Sequence, residues 1–498
     1  MDRPGRGLYS VQVADLNDDL IDVLWAGVAG ENTAMPKLNV VGRPTLDSAF
    51  PVSDLATASI AVAGLAVSQF VTGTTDVEPT VTVDRGLADG WFASALSPVG
   101  WELPSPWDAI AGDYESADGW IRLHTNAPHH KNAALAVLKT PDNRVKVAAA
   151  VRKWRGLDLE NAIVAANGCA AVMLTDDQWL SHEQGAAVAD EDLVARESGR
   201  IASVGVRMPD PSRPLSGIRV LDLTRVIAGP VASRFLASFG ADVLRIDPPE
   251  WDEPGVVPDM TLGKRSARLD IRRDPDGFRR LVAGADIVLH GYRADALDRL
   301  GFDDATLGAL RPGLVIGRLN AYGWTGPWRN RRGFDSLVQM SSGIAEAGMR
   351  WADAATPTPL PVQALDHATG YLTAAAVIVD LGRALRSGYG SVASLSLART
   401  ARVLATADEL APLRAADVAT AASRANEAFI ARNELSYSGR DDAPFDAAGA
   451  ATSVPHAPTR LETPWGEAEV LPQPLTVGAA VPRFDRPPRP LGTDPAHW

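Results

Sequence analysis

The run GIRVLDLTRVIAGPVASRFLASFGADVLRID at residues 217–247 leaves this chain few folds to choose from. IRVLDL is a short apolar strand, Ala228–Phe239 has apolar residues at helical spacing, Gly240 stops that helix, and ADVLRID is a second strand. A strand, a helix and a strand joined by a tight first loop form a βαβ unit, in which the helix carries the chain back so that the strands run parallel. Such a unit opens a ligand site at the carboxyl ends of its strands. The alternation continues: RSARLDI is a strand, PDGFRRLVAG a helix begun by proline, ADIVLHGY a strand, ATLGALRP a helix stopped by Pro312, and LVIGRLNAYG a strand. The expected fold is therefore α/β, with an open, mostly parallel, doubly wound Rossmann-like sheet. Asp247 ends the second strand as an NAD-binding acid would. The first loop, TRVIAGP, has one glycine followed by a proline in place of the glycine fingerprint, which argues against a dinucleotide.

Composition removes several function classes. A net charge of −13 with no Lys/Arg block argues against a nucleic-acid-binding surface. The start, MDRPGRGLYSVQVADLNDDL, has no apolar signal-peptide core, and no stretch offers roughly eighteen uninterrupted apolar residues. The most apolar windows, Ala56–Val71 and Thr373–Leu381, are short and Ala-rich and fit buried helices. A single cysteine, Cys169, precludes an internal disulfide and fits a reducing compartment. The expectation is a cytoplasmic protein without a membrane partner.

Three further segments carry chemistry: GKRSARLDI, AYGWTGPWRNRRGFDSL and LPVQALDHATGYL. The last sets one carboxylate, Asp366, at the mouth of an Ala/Thr/Gly-rich helix, where an aspartate alone would be read as a helix cap. Together with the βαβ run these segments resemble the class III acyl-CoA transferases, the family of formyl-CoA and carnitine CoA-transferases and α-methylacyl-CoA racemase. The similarity runs from about Arg213 to Leu404. The resemblance implies a CoA-transferase that moves coenzyme A from an acyl-CoA to a small carboxylic acid, with Asp366 as nucleophile. It implies no tightly bound cofactor and no metal, coenzyme A being a substrate. By the same resemblance Val226, Leu269, Arg272, Gly291, Tyr292 and Arg299 match CoA-contacting positions, Gly291 and Tyr292 replacing the usual Asn-Phe pair. Lys264, Arg265 and Arg293 join them as strand-end cations suited to the phosphates of CoA. Gly323, Gly333 and Gly343 are candidate oxyanion donors or plain turn glycines. Trp324, Phe334 and Asp335, with Trp328, Met340 and Met349, are candidates for the substrate pocket, and their bulk suggests a hydrophobic acyl group.

The chain also repeats itself. SDLATASIAVAGLAV from Ser53 resembles LDHATGYLTAAAVIV from Leu365, so that Asp54 matches Asp366, Thr57 matches Thr369 and Val67 matches Val379. Each helix is followed by a strand-like run ending Leu-Ala, and each half closes with Arg-Pro-Leu, at Arg213 and Arg489. The period is too long for a solenoid and indicates a duplicated segment. The expected organisation is a partial duplicate of the catalytic-helix region over 1–100 and a smaller α+β domain over 101–195. A linker over 196–215, the CoA-binding large domain over 216–400, and a helical segment with a C-terminal return over 401–498 follow. The resemblance implies an interlocked homodimer; single-chain duplication offers a monomeric pseudo-dimer instead.

Other residues receive plainer readings. Asp54 lacks the following glycine and the preceding loops, and is read as a non-catalytic helix cap. His124, His129 and His130 lack partners at metal-ligand spacing. His367 adjoins Asp366, but neighbours on a helix point about 100° apart. Cys169, in NGCAAVML, is read as a buried thiol, and the tryptophans as core or interface residues. By the same resemblance a racemase would pair Asp366 with a histidine directly before Asp335, where this chain has Phe334, which cannot transfer a proton. A non-catalytic CoA-binding or scaffold protein is the remaining alternative.

Overall fold

The computed structural model describes residues 16–75, 77–201, 210–407 and 457–498. Most of the expected helical stretch after Leu404, and residues 202–209 of the expected linker, lie outside the described residues. The first unit contains α1 (Leu16–Ala29), β1 (Leu38–Val41), α2 (Val52–Thr75), β2 (Val81–Asp84), α3 (Arg85–Ala93) and β3 (Leu96–Pro98). α2 has no proline, is rich in alanine, and every residue from Val52 to Ser68 is buried. Asp84 ends β2 and caps α3, its Oδ1 accepting the Leu87 amide at 3.0 Å.

The second unit is a three-stranded antiparallel sheet, β4 (Gly112–Glu115), β5 (Trp120–Leu123) and β6 (Ala170–Val172). Between β5 and β6 run α4 (Pro128–Leu138), α5 (Arg144–Val151) and α6 (Gly156–Ala165), whose Val147, Leu159 and Ile163 close a separate core with Tyr114 and Ile121. Two short helices follow, α7 (Asp176–Ser181) and α8 (Glu183–Ala189).

The third unit begins with β7 (Ala195–Ile201), within the segment expected to be a linker. That expectation is corrected: ARESGRI pairs antiparallel with the last strand of the large sheet and forms its edge. Its charges hid it from a search for apolar strands, although charged side chains are common on edge strands. Then come β8 (Arg219–Asp222), α9 (Ala228–Ser238), β9 (Asp242–Asp247), α10 (Val257–Met260), β10 (Arg265–Arg268), α11 (Pro275–Ala283), β11 (Ile287–His290), α12 (Asp304–Leu310) and β12 (Val315–Asn320). After β12 the crossover is long: α13 (Asp335–Ser341), α14 (Ile344–Trp351) and α15 (Ala364–Ser387) precede β13 (Tyr389–Ser396) and α16 (Leu397–Thr406). The sheet order is β10-β9-β8-β11-β12-β13-β7, parallel throughout except for β7. Numbered from β8, its parallel part runs 3-2-1-4-5-6, with the order reversing between β8 and β11.

The C-terminal strands β14 (Thr459–Thr463), β15 (Gly466–Val470) and β16 (Leu475–Val477) return to the first unit, β15 beside β3 and β16 beside β2. The last residues cross to the large sheet. Asp494 and Ser266 exchange hydrogen bonds, and the Trp498 indole donates to the Leu281 carbonyl at 2.8 Å.

The sequence repeat is visible in space. α2 and α15 each have 24 residues, carry Asp54 and Asp366 at their third position, and pack along one another. The small sheet β1-β2-β16 copies the edge β12-β13-β7: a parallel pair followed by an antiparallel strand. The runs ending Leu-Ala are not all strand, since β2 and β13 stop at Asp84 and Ser396, where the following helices are capped. Each long helix could cross a bilayer by length and composition, yet the most apolar window of each is 89% buried. Their apolarity is accounted for by packing on each other.

Candidate active site

Asp366 stands in the first turn of α15, at the end of the large sheet where its parallel strands finish, and is 7% exposed. Its backbone N–H donates to Oδ2 of Asp335, the first residue of α13, at 2.9 Å. Asp335 is fully buried, and its other carboxylate oxygen accepts the Gln339 side-chain amide. The Gln339 oxygen in turn accepts the Leu360 N–H at 2.8 Å. Gln339 thus ties α13 to the segment that leads into α15 and fixes two carboxylates side by side. Burial pushes both up, Asp335 to about 6 and Asp366 well above the ordinary carboxylate range, with the Asp335 charge adding to the shift at Asp366. Asp335 accepts amide hydrogens from Gln339 and from the Asp366 backbone, which favours its charged form, whereas burial and the Asp335 charge both disfavour the charged form of Asp366.

Gly370, four residues along α15, explains the close approach of the βαβ unit. A Cβ there would lie 2.4 Å from the Ala228 carbonyl oxygen and 2.8 Å from the Val231 Cβ. The amino end of α9 therefore rests directly on the first turns of α15. The loop that precedes α9 is strained: Val226 has φ 65°, a region that β-branched residues avoid. Its amide donates to Glu253 at 3.0 Å, and Glu253 is held by the fully buried Arg245, which also pairs with Asp247 at 2.8 Å. Asp247 is thus committed to a buried ion pair. Beside Val226, the Arg225 guanidinium lies 4.6 Å from the Trp251 ring and 5.5 Å from that of Tyr292. The ends of β8, β9 and β11 converge here, at the point where the strand order reverses.

Residues 215–447 match the family model described as CoA-transferase family III. This segment belongs to CoA-transferase family III. It is 34% identical over 212 residues to a succinate–glutarate CoA-transferase of Agrobacterium fabrum, covering 38% of this chain and 52% of that protein. It is 33% identical over 210 residues to a probable fatty acyl-CoA transferase of Mycobacterium tuberculosis, covering 38% and 51%. It is 33% identical over 203 residues to a succinyl-CoA–D-citramalate CoA-transferase of Chloroflexus aurantiacus, covering 38% and 50%. A crystal structure of a hypothetical protein from Mycobacterium tuberculosis is 30% identical, with 40% and 58% covered and a TM-score of 0.36. The chain spans about half the length of these curated relatives.

The residues expected around the family III site separate into two groups. Val226, Leu269, Gly291, Tyr292 and Arg293 lie on strands' carboxyl-end loops around the reversal point, Gly291 exposed and the others partly buried. Arg272 and Arg299 are exposed on the same side, turned to Asp270 at 3.1 Å and to Asp295. Lys264 and Arg265 do not join them. Lys264 is wholly buried, 3.2 Å from Asp222 and 2.8 Å from the Pro230 carbonyl. Arg265 starts a strand, binds Asp242 at 2.8 Å and stacks on Trp498. The sequence marked them as cations near strand ends without showing that each is already neutralised. Arg225, Trp251, Glu253 and Gln339 escaped that reading because their roles depend on contacts across the fold; only Gly370 had a signal, in the Asp-x-x-Thr-Gly spacing.

The glycines are used for close packing. The Gly323 amide is taken by the Asn320 side chain at 2.8 Å, and a Cβ at Gly333 would meet Ala321 at 2.5 Å. A Cβ at Gly343 would meet the Asp176 amide nitrogen at 2.4 Å. Trp324 lines an open cleft of about 450 Å³ whose other walls include Asp190, Glu191 and Asp192, a poor surface for an anionic substrate. Trp328 belongs to an aromatic cluster with Trp179, His182 and Tyr322, with Arg331 stacked on it at 3.9 Å. Met340 is buried on α13 in a cluster with Cys169, Ala171, Leu337 and Ala345, and Met349 is half-buried on α14. Phe334 directly precedes Asp335 and faces the small domain, its ring 3.7 Å from that of His124. His367 turns away toward the first unit and stacks on Phe92 at 5.1 Å. Cys169 is buried, which pushes its thiol up to about 12. Asp54 pairs with Arg85 in the interior, so its role is an ion pair and not only a cap. Among the described residues, no group of three or more His, Cys, Asp or Glu could hold a metal ion.

Proposed function

We propose that this chain transfers coenzyme A from an acyl-CoA thioester to a carboxylic acid through covalent intermediates on Asp366. The observation that carries the reading is the buried Asp366–Asp335 pair at the amino end of α15, pressed against α9. The Asp366 carboxylate attacks the thioester carbonyl and expels CoA thiolate, leaving an aspartyl–acyl anhydride. The thiolate attacks the aspartyl carbonyl, giving an aspartyl-CoA thioester and the free donor acid. The acceptor carboxylate attacks that thioester, and the thiolate released then attacks the acceptor carbonyl of the new anhydride, restoring Asp366. Each step exchanges one acyl bond for another of comparable energy, so burial that excludes water preserves the intermediates. Asp335 is a positioning residue: it holds the Asp366 backbone and raises the basicity of its carboxylate.

Coenzyme A is proposed to lie at the strand-order reversal, with Val226, Leu269, Arg272, Gly291, Tyr292, Arg293 and Arg299 around it and Arg225 and Trp251 as further contacts. The relatives' names differ in the acid, so they do not choose one. Exchange of labelled CoA between an acyl-CoA and free acids tests the reading, with hydroxylamine trapping of Asp366 as the covalent readout. CoA binding without exchange or adduct would support the scaffold alternative, and loss of α-hydrogen label without exchange the racemase.

For assembly, the packing of α2 on α15 favours a single chain that supplies its own second half over the homodimer expected from the resemblance. Sedimentation distinguishes them: 52.7 kDa for the single chain, twice that for the dimer.

A further inference from the structure

Phe334 is wedged between two histidines of the small domain. Its ring is stacked on His124, 3.7 Å between centroids and 7° between planes, and meets His130 edge-on at 5.9 Å. His124 is 5% and His130 4% exposed, and neither takes part in the proposed transfer. Among the described residues, both ring nitrogens of His130 and Nδ1 of His124 are buried without a hydrogen-bond partner. Buried polar atoms are nearly always satisfied, and those that are not call for an explanation. The seam they form is the docking face of the small domain on α13. Across it Leu337 and Met340 pack on Cys169 and Ala171, and the Leu174 amide donates to the Met340 carbonyl at 2.9 Å. Arg331 pairs with Glu160 at 2.9 Å, and Arg332 donates to the Asn167 carbonyl at 3.1 Å. The small domain has its own core around Ile121, Val147 and Leu159, so it can lift from α13 without unfolding.

The groups facing the two histidines disfavour their protonated forms. Burial holds His124 and His130 down from an ordinary 6.5 to about 3. Arg122 and His130 add to the effect at His124, and His129 and Arg332 at His130. The nearby carboxylates are committed elsewhere: Asp113 binds Arg122 at 2.8 Å, Asp108 binds Lys131 at 2.7 Å, and Glu160 binds Arg331. On the α13 side Asp335 accepts the Gln339 amide and the Asp366 N–H.

We propose that the His124–His130–Phe334 seam is a proton-released latch, which docks the small domain on α13 while both imidazoles are neutral and opens when they gain protons. Once the seam opens, each imidazole meets water and titrates normally. Because the closed seam binds protons less readily, it contributes stability present above about 6.5, which is lost progressively as pH falls toward about 3. Phe334 leads directly into Asp335, whose carboxylate holds the Asp366 amide, so opening loosens the support of the carboxylate pair.

The test is hydrogen–deuterium exchange of the full chain at about pH 7.5 and about pH 5, corrected for intrinsic exchange. The opening constant of α13 and of the segment from β5 to α4 is expected to rise about thirtyfold for each histidine released in acid, hence about a thousandfold for the pair. β8, in the centre of the large sheet, should change far less. His124→Phe combined with His130→Phe keeps both rings and removes their nitrogens. That double variant is expected to lose the rise, and His130→Phe alone to retain about thirtyfold of it. Thermal melting at about pH 7.5 checks that the variants fold; if the double variant does not, the single one carries the comparison. A wild-type rise no larger than that of β8, or the full rise persisting in a folded variant, overturns the proposal. CoA exchange at neutral pH is read separately, so the transferase reading does not depend on either result.

Discussion

α2 and α15 are nearly the same helix placed in two different environments. Both are buried, both have 24 residues, and both carry aspartate at the third position. Around Asp366 the neighbours are a second carboxylate and the amino end of α9. Asp54 instead pairs with Arg85, and among the described residues no βαβ unit precedes its helix. The first copy therefore stores its carboxylate as half of an ion pair, whereas the second keeps it with raised basicity. The difference teaches that duplication preserves a helix by its packing, while reactivity belongs to whatever is packed against it.

The largest expected effect separates the two aspartates. Asp366→Asn should reduce CoA exchange by on the order of 10⁴-fold or more and abolish the hydroxamate on its peptide, because the covalent route is lost. Asp54→Asn should instead cost stability, about 1–3 kcal/mol, by weakening its buried contact with Arg85. Chemical denaturation reads that loss, and activity per folded molecule should change little. Equal losses of activity from both substitutions would dissolve the contrast.

The second comparison sharpens the role of the close contact. Ala58 occupies in α2 the place of Gly370 in α15. Gly370→Ala forces a methyl group toward the Ala228 carbonyl and should destabilise the fold by about 1–3 kcal/mol while weakening CoA binding, as measured by denaturation and calorimetry. Ala58→Gly should cost only about 1 kcal/mol of helix propensity and leave CoA binding unchanged.

A pH profile probes the carboxylate pair that the first copy lacks. The proposed nucleophile must be ionised and its pKa is raised, so kcat/KM should climb with pH through a window above the ordinary carboxylate range. Asp335→Asn removes the neighbouring charge and should move that limb to lower pH, although kcat falls through lost positioning. A limb that stays in place or moves upward would mean that Asp335 does not set the basicity of Asp366. The same shift has a stability counterpart with a defined sign. Folded-state pKa values above the ordinary 3.8 contribute stability present below about 4, which is lost as pH rises through about 6.

The smallest effect concerns the strained loop. Val226→Gly relieves a left-handed β-branched residue and should raise stability by up to about 1 kcal/mol, with weaker CoA binding because the loop is less ordered. A calorimetric CoA titration showing unchanged affinity would remove Val226 from the proposed site.

Much of this protein was legible before its structure. Apolar runs and helical spacing located the strands from β8 to β13 and the helices α9, α11 and α12, because a buried parallel sheet demands apolar runs with abrupt stops at Gly240 and Pro312; α10, α13 and α14 were not located. The repeat located α2 and α15, and the Asp-x-x-Thr-Gly spacing singled out Asp366, with the glycine explained only when α9 proved to lie against it. The edge strand β7 was not legible, since its polar residues satisfy an edge by backbone pairing and leave no apolar signature. Nor was the fate of the charges. Lys264, Arg265 and Arg225 are all cations near strand ends, and only the tertiary structure decides that the first is sealed against Asp222, the second bound to Asp242, and the third left against aromatic rings at the reversal point. Local sequence fixes where a side chain leaves the backbone; its partner comes from residues tens or hundreds of positions away. It is that partner which sets whether a carboxylate such as Asp54 or Asp366 is neutralised or made reactive.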